Sequence, residues 1–453
     1  MKKLLVLFAA MSLVLSGCSN DPYGYQIKDG RIVYNTPERP ADQQSMLGFA
    51  CDPIPNVRVG FIGLGMRGPA ALPRYANIEG ATITALCDLL PERVEKAEKV
   101  LERYGITASE TYSEEDGWMK LCESENIDLV YLAVPWQLHT KMAVYAMEHG
   151  KHVAIEVPAA TSIAECWALV NTSERTRKHC MMLENCCYDF FELTCLNMAQ
   201  QGVFGEIVHA EGAYCHNLDS YWTKYQGDWR MLFNRAHHGD VYPTHGIGPV
   251  CQALNIHRGD KMDELVAMDT KPFRGQTLGD KYYGEGAVDY QNGDNTSTLV
   301  RTHNGKTILV EHSTITPRPY SRMYQLQGTE GLANKYPNEG LAVKEYDPER
   351  YCTPEEREAL MAKYKHPIIS TEGFEEKAKQ VGGHGGMDFI MDYRLIYCLN
   401  NGLPLDMDVY DAAEWSSLVE LTEVSIKNGS MPVVFPDFTR GEWNKTEGLH
   451  FAL

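Results

Sequence analysis

Three glycines, one aspartate and a tyrosine–histidine pair are the residues of this chain whose types and spacing suit chemistry. Gly63, Gly65 and Gly68 follow the apolar run 57–62 and lead into a segment that can be helical. In that setting the first glycine permits a tight turn, the second lets a pyrophosphate approach the backbone, and the third lets helix and strand pack closely. Free N–H groups at the helix start then bind the phosphates. The bland alternative is a strand–turn–helix unit that binds nothing, because glycine-rich turns are common. Asp88 weighs against it. This residue ends a second apolar run, 81–87, twenty positions beyond Gly68, where a dinucleotide site needs an acceptor for the ribose hydroxyls. A carboxylate there repels a 2′-phosphate, so the reading is NAD rather than NADP.

Tyr242 and His245 fall in Tyr-Pro-Thr-His-Gly-Ile-Gly-Pro, where a histidine can move a proton or simply cap a helix. His384, inside Gly-Gly-His-Gly-Gly at 382–386, is either a phosphate or sugar contact or part of a turn. On residue type alone Tyr188, after the strand-like run 180–183, is a core tyrosine with a satisfied hydroxyl. No H-E-x-x-H or paired C-x-x-C spacing occurs, which predicts no metal site.

The elements that must position these residues alternate between strand and helix from 57 to about 158. Strands are expected at 57–62, 81–87, 129–134 and 152–155, with helices at 92–104 and 141–149. Such alternation implies an α/β fold, a doubly wound parallel Rossmann sheet with ligands at the strand C-termini. Amphipathic stretches at 162–178 and 190–202 flank the strand 180–183. Beyond Gly205 the β-branched runs 207–214, 297–303 and 307–316, with turn signals such as Asn304-Gly305, predict an α+β domain whose open sheet is largely antiparallel over 206–334. Helices at 387–400 and 408–427 are expected to pack back on the first domain. The division is therefore 1–18 signal, 19–56 tether and strap, 57–185 NAD-binding domain and 186–453 substrate domain.

A chain of 453 residues with a net charge of −19 does not suit nucleic acid or an anionic membrane surface as partner. Lys2 and Lys3, the apolar stretch 4–15 and Leu15-Ser-Gly-Cys18 form a secretory signal too short to span a bilayer. The tetrad resembles a bacterial lipobox, which makes Cys18 the lipidated first residue of a membrane-anchored, exported protein; an ordinary cleaved signal is the other reading. Several of the other twelve cysteines, such as Cys87, Cys187 and Cys398, lie in or beside apolar elements, as buried thiols do.

The first half resembles the Gfo/Idh/MocA oxidoreductases, with Glu156-Val157-Pro158 where those enzymes carry Glu-Lys-Pro. From about residue 45 onward the chain resembles a narrower relative, glycoside hydrolase family 109, the NAD-dependent α-N-acetylgalactosaminidases. The resemblance is carried by Gly63-Leu-Gly-Met-Arg-Gly68, Pro135-Trp-Gln-Leu-His139, Glu184-Asn-Cys-Cys-Tyr188, Tyr242 to Pro249, Arg318-Pro-Tyr320 and Gly382 to Asp388. It implies cofactor contacts at Met66, Arg67, Asp88, Trp136, His139, Glu156, Val157, Asn185 and Tyr242. Substrate contacts are implied at Tyr214, Arg230, Tyr242, Pro243, Thr244, His245 and Tyr320.

The family's chemistry is a redox elimination. C3 of the sugar is oxidised by bound NAD, the acidified C2 proton is removed, the C1–O bond breaks, water adds, and C3 is reduced again. On that basis Tyr188 is assigned as the C2 base, His245 handles the 3-hydroxyl proton, and Tyr242 and Glu156 bridge cofactor and sugar. NAD would be held tightly and regenerated in each cycle. The competing classes are a sugar dehydrogenase, disfavoured by valine in place of the lysine, and a non-catalytic glycan-binding lipoprotein. An open sheet is also a surface on which two copies can pair as a homo-oligomer.

Overall fold

The computed structural model describes residues 23–221 and 224–453, so the signal segment and Cys18 lie outside the described residues. Six parallel strands form the first sheet, in the order Glu110–Tyr112, Ala81–Cys87, Val57–Ile62, Leu129–Leu132, His152–Ile155, Cys180–Met182. Val57–Ile62 sits in its centre, buried on both faces, which is why it reads as a near-continuous apolar run. Strand order reverses there, between Ala81–Cys87 and Leu129–Leu132, and the crevice at the carboxyl ends of those strands is where such sheets bind ligands. The helices Arg67–Tyr75, Pro91–Glu102, Trp136–Glu148 and Ile163–Thr176 connect and cover the strands.

Among the described residues the second sheet has ten strands and is mixed. Its centre runs Met262–Asp269, Thr296–Thr302, Thr307–Ser313, Ile207–Cys215, Gln325–Gly328; only the Thr307–Ser313/Ile207–Cys215 pair in that run is parallel. Two differences from the sequence reading concern this sheet. The stretch 206–334 also holds the helices Trp229–Ala236, Thr244–Ala253 and Phe273–Tyr283. The last two are rich in Gly, Pro and Thr, residues of low helix propensity, and tertiary packing overrides that preference. Part of the supposed strap is also sheet: the hairpin Tyr25–Lys28/Arg31–Tyr34 adds to the edge through Val433–Val434.

The C-terminal helices join the two halves. Met387–Asn401 packs on the first domain, where Arg74 donates to Asp392 at 2.6 Å and Asn400 donates to the carbonyls of Ile54 and Gly80. Val409–Lys427 is buried on nearly all sides. Ser416 on it accepts from the N–H of Ala159 in the first domain, and Ser425 accepts from Ala267 in the second. A helix buried all round shows little amphipathic period, because every face meets protein.

Candidate functional site

The glycine turn separates what the fold demands from what a ligand demands. A Cβ on Gly63 would lie 2.3 Å from the Ala133 carbonyl oxygen, and one on Gly68 would lie 2.0 Å from that of Gly63. Those two glycines are required by backbone packing alone. A Cβ on Gly65 would meet nothing nearer than Arg93 Nη1 at 3.5 Å, yet Gly65 lines the cleft. The space it leaves open faces the cleft. Helix Arg67–Tyr75 begins with no side-chain cap and no acidic residue in its first turn, so its leading N–H groups are available to an anion.

The cleft is about 520 Å³ and runs from Cys87, Asp88 and Arg93 past Gly65, Met66 and Arg67 to Glu156, Tyr242 and Arg230. Asp88 accepts the N–H of Leu64 at 2.7 Å and that of Leu90 at 3.0 Å, which fixes the carboxylate against the turn with lone pairs left for hydroxyl donors. These residues suit a dinucleotide: an uncrowded glycine, uncapped N–H groups and a fixed acceptor in one groove. Met66, Arg67, Trp136, His139, Glu156, Val157 and Tyr242 all line it, as the family pattern implies. His139 does so without a free nitrogen, because Nδ1 and Nε2 each lie 2.8 Å from a carbonyl oxygen, of Pro158 and Val134. Burial holds its pKa below the ordinary imidazole value, and the neutral ring donates its one N–H to one of these carbonyls. Glu156 accepts from Arg67 at 3.1 Å and from the Tyr131 hydroxyl at 2.9 Å. Asn185 stands behind the wall, donating to Asp388 at 2.5 Å, and Asp388 in turn accepts from Arg67.

Beyond Tyr242 the groove becomes aromatic. The Tyr242 ring lies 5.6 Å from Trp136, 4.6 Å from Tyr214 and 5.0 Å from His245; Tyr320 closes the outer side, 6.4 Å from Tyr214 and 5.1 Å from His216. Arg230 stacks 4.6 Å over Tyr242 and donates to the Tyr225 hydroxyl at 2.9 Å. The start of helix Thr244–Ala253 can approach strand Ile207–Cys215 because a glycine stands on each. A Cβ on Gly212 would be 2.0 Å from the Gly246 carbonyl oxygen. That contact sets His245 beside Tyr214. Pro243 and Thr244 are buried beneath the turn and shape it, whereas Tyr242 and His245 are partly exposed. Asp240, whose carboxyl burial pushes up to about 7, accepts the Tyr242 N–H at 2.9 Å.

Two histidine–carboxylate pairs stand at this end of the groove, and the sequence reading assigned neither carboxylate. His245 Nδ1 lies 2.7 Å from Glu184 Oε1. Burial would raise the Glu184 carboxyl, but His245, the Thr244 hydroxyl and the Cys186 N–H together hold it below its ordinary value. His384 Nδ1 lies 3.0 Å from both oxygens of Asp388, whose carboxyl, raised by burial, is brought down further by His384, Arg67 and Arg74. Glu184, Cys186 and His245 also bring three potential ligand atoms within 4.8 Å. The short nitrogen–oxygen distance is that of a charge-assisted hydrogen bond.

Tyr188 is not at the site. Its side chain is fully buried, and its hydroxyl donates to Asp406 Oδ2 at 3.2 Å, beside the Arg394–Asp406 ion pair. Burial and Asp406 together drive its pKa well up. The assignment of Tyr188 as the C2 base is withdrawn: one turn after a strand at the domain junction, its side chain faces the core. Tyr214 is the tyrosine at the aromatic end with a proton partner, its hydroxyl 2.9 Å from His216 Nδ1; burial raises its pKa and Arg230 opposes that rise.

Fold and groove define a two-domain, dinucleotide-binding protein of oxidoreductase architecture with an aromatic second site. Residues 57–184 match the oxidoreductase family with an NAD-binding Rossmann fold, and residues 188–445 match the C-terminal domain of glycosyl hydrolase 109. The chain belongs to glycosyl hydrolase family 109. Glycosyl hydrolase family 109 protein 1 of Bacteroides thetaiotaomicron is 56% identical over the full length of both chains. The family 109 protein 1 of Phocaeicola vulgatus is 58% identical over 92% of this chain and 91% of its own. A levoglucosan dehydrogenase solved with NADH and levoglucosan shares the fold, with a TM-score of 0.64 at 20% identity over 84% of this chain and all of its own. The chain is thus a glycoside hydrolase that uses NAD and acts on glycans.

Proposed function

We propose that the chain is an exo-glycosidase that removes terminal α-linked N-acetylgalactosamine by reversible oxidation at C3. The observation that carries this reading is a shared wall: Tyr242 and Arg230 line the dinucleotide cleft and also belong to the aromatic cluster around Tyr214. A hydrolase working with two opposed carboxylates needs both free to act on the glycosidic bond. Here Glu156, Glu184 and Asp388 are each committed, to Arg67, His245 and His384.

Nicotinamide, when bound, supplies a reversible hydride acceptor for C3, which becomes a carbonyl and acidifies the C2–H bond. With its Nδ1–H donated to Glu184, His245 presents Nε2 as the base for the 3-hydroxyl proton and later returns it. Tyr214 takes the C2 proton in place of Tyr188 as its own hydroxyl proton passes to His216 Nδ1, and both protons return by the same path when C2 is reprotonated. His384 uses Nδ1 on Asp388, so its Nε2 gives a proton to the departing C1 oxygen and then takes one from the entering water. Arg230 and Tyr320 hold the sugar.

The test is release of a chromogenic aglycone from the α-N-acetylgalactosaminide without added NAD, run in deuterium oxide. Product carrying deuterium at C2, and NAD in the denatured purified protein by mass spectrometry, are the expected results. Product with its C2 hydrogen wholly retained overturns the route. We also propose that Cys18 anchors the protein at a membrane surface outside the cytoplasm, where terminal glycans are met; Cys18→Ser should abolish incorporation of labelled palmitate.

A further inference from the structure

A second, smaller cavity of about 20 Å³ adjoins the groove behind Arg230. It has room for one water or one methyl group. Its floor is apolar: Leu218, Met231 and Ile315, with Met231, Ile315 and Tyr290 belonging to a small hydrophobic cluster separate from the main core. Arg230 stands in the walls of both the cavity and the cleft. Asn234 follows Arg230 by four residues on helix Trp229–Ala236, which puts both side chains on one face. The Asn234 side chain lines the cavity and is only 7% exposed; its amide is hydrogen-bonded to Tyr290, also in the cavity wall, and its Oδ1 has no partner of its own. An unpaired buried amide oxygen in an apolar cluster is costly unless a ligand or water meets it.

We infer that this cavity is the acetamide subsite, with Asn234 its specificity-determining residue. The methyl of the 2-acetamido group enters the apolar floor, the amide N–H donates to Asn234 Oδ1, and the amide carbonyl accepts from the Arg230 guanidinium. A sugar with hydroxyl or amine at C2 leaves the floor unfilled and Arg230 without that acceptor. A site that hydrogen-bonds a polar group discriminates strongly against analogues lacking it. The inference rests on the glycosidase reading for its sugar, but it is testable apart from turnover.

The experiment titrates the NAD-loaded protein with N-acetylgalactosamine, galactosamine and galactose by calorimetry, and compares the wild type with Asn234→Leu and Asn234→Asp. The wild type should bind the N-acetyl sugar at least about tenfold more tightly than the other two. Asn234→Leu should erase most of that ratio, and Asn234→Asp, which keeps an acceptor oxygen, should restore part of it. Equal binding of the three sugars by the wild type, or a ratio unchanged in Asn234→Leu, overturns the inference. Acetamide-dependent binding without aglycone release would instead sink the redox glycosidase reading while leaving the subsite in place.

Discussion

The two histidine–carboxylate pairs differ in their access to water. His245 leans on the fully buried Glu184 at the foot of helix Thr244–Ala253, and its side chain is 13% exposed. His384 leans on Asp388, equally buried, but its own side chain is 53% exposed, at φ +45° in the 382–386 loop. The carboxylate does the same work in both, fixing a tautomer and supporting a positive imidazole. A proton on His245 is shielded and can be returned to the substrate it came from. A proton on His384 exchanges with solvent, as suits a group meeting leaving group and water. In the proposed mechanism one pair keeps its proton and the other trades it.

The comparison can be broken experimentally. His245→Ala should lower kcat/KM for glycoside release by about 10³-fold with every leaving group, since general acid–base help is lost at the first step. His384→Ala should slow alkyl glycosides by about 10²-fold and nitrophenyl glycosides far less, while C2–H exchange with deuterium oxide persists. Equal losses on both substrate types would remove the leaving-group role. Glu184→Gln should reduce kcat by about 30-fold with little change in KM, because it leaves the sugar contacts and weakens support of the imidazolium.

Two smaller effects bear on the residues around the pairs. Asp240 has its carboxyl pushed up to about 7 by burial, so the folded chain binds a proton there that the unfolded chain releases near pH 4. Stability from this group is complete below about pH 4 and is lost as pH rises toward 7, by about 1 kcal/mol per unit. Urea unfolding of Asp240→Asn, compared with wild type between pH 5 and 8, should show the variant gaining relative stability as pH rises. Tyr188→Phe should cost about 1 kcal/mol through the lost hydrogen bond to Asp406 and leave kcat/KM within about twofold. A large catalytic loss in that variant would restore Tyr188 to the chemistry.

Much of the dinucleotide half was legible in sequence, because its signals are local. Gly63, Gly65, Gly68 and Asp88 lie within one β-α-β unit, and each is fixed by the turn and strand around it. The sugar half was legible as residues but not as an assembly. Tyr214, Arg230, Tyr242 and Tyr320 were expected, while Glu184, Asp388 and Asn234 were not assigned. Glu184 acquires its role only from the histidine that folding brings to it from 61 positions away, whereas Asp388 is four positions from His384 and that pairing is local. For Tyr188 the direction of the side chain was not readable from the motif.

Sequence by itself determined the parallel sheet, the phosphate-binding turn and the residue types available to a proton-transfer site, since periodicity and backbone sterics act over a few residues. Tertiary structure alone decided which tyrosine faces the groove, which acid meets His245 and how open each pair is to water. Those depend on a glycine-to-glycine contact between a helix and a strand and on a C-terminal helix docked against the first domain. Such contacts join segments that share no local signal.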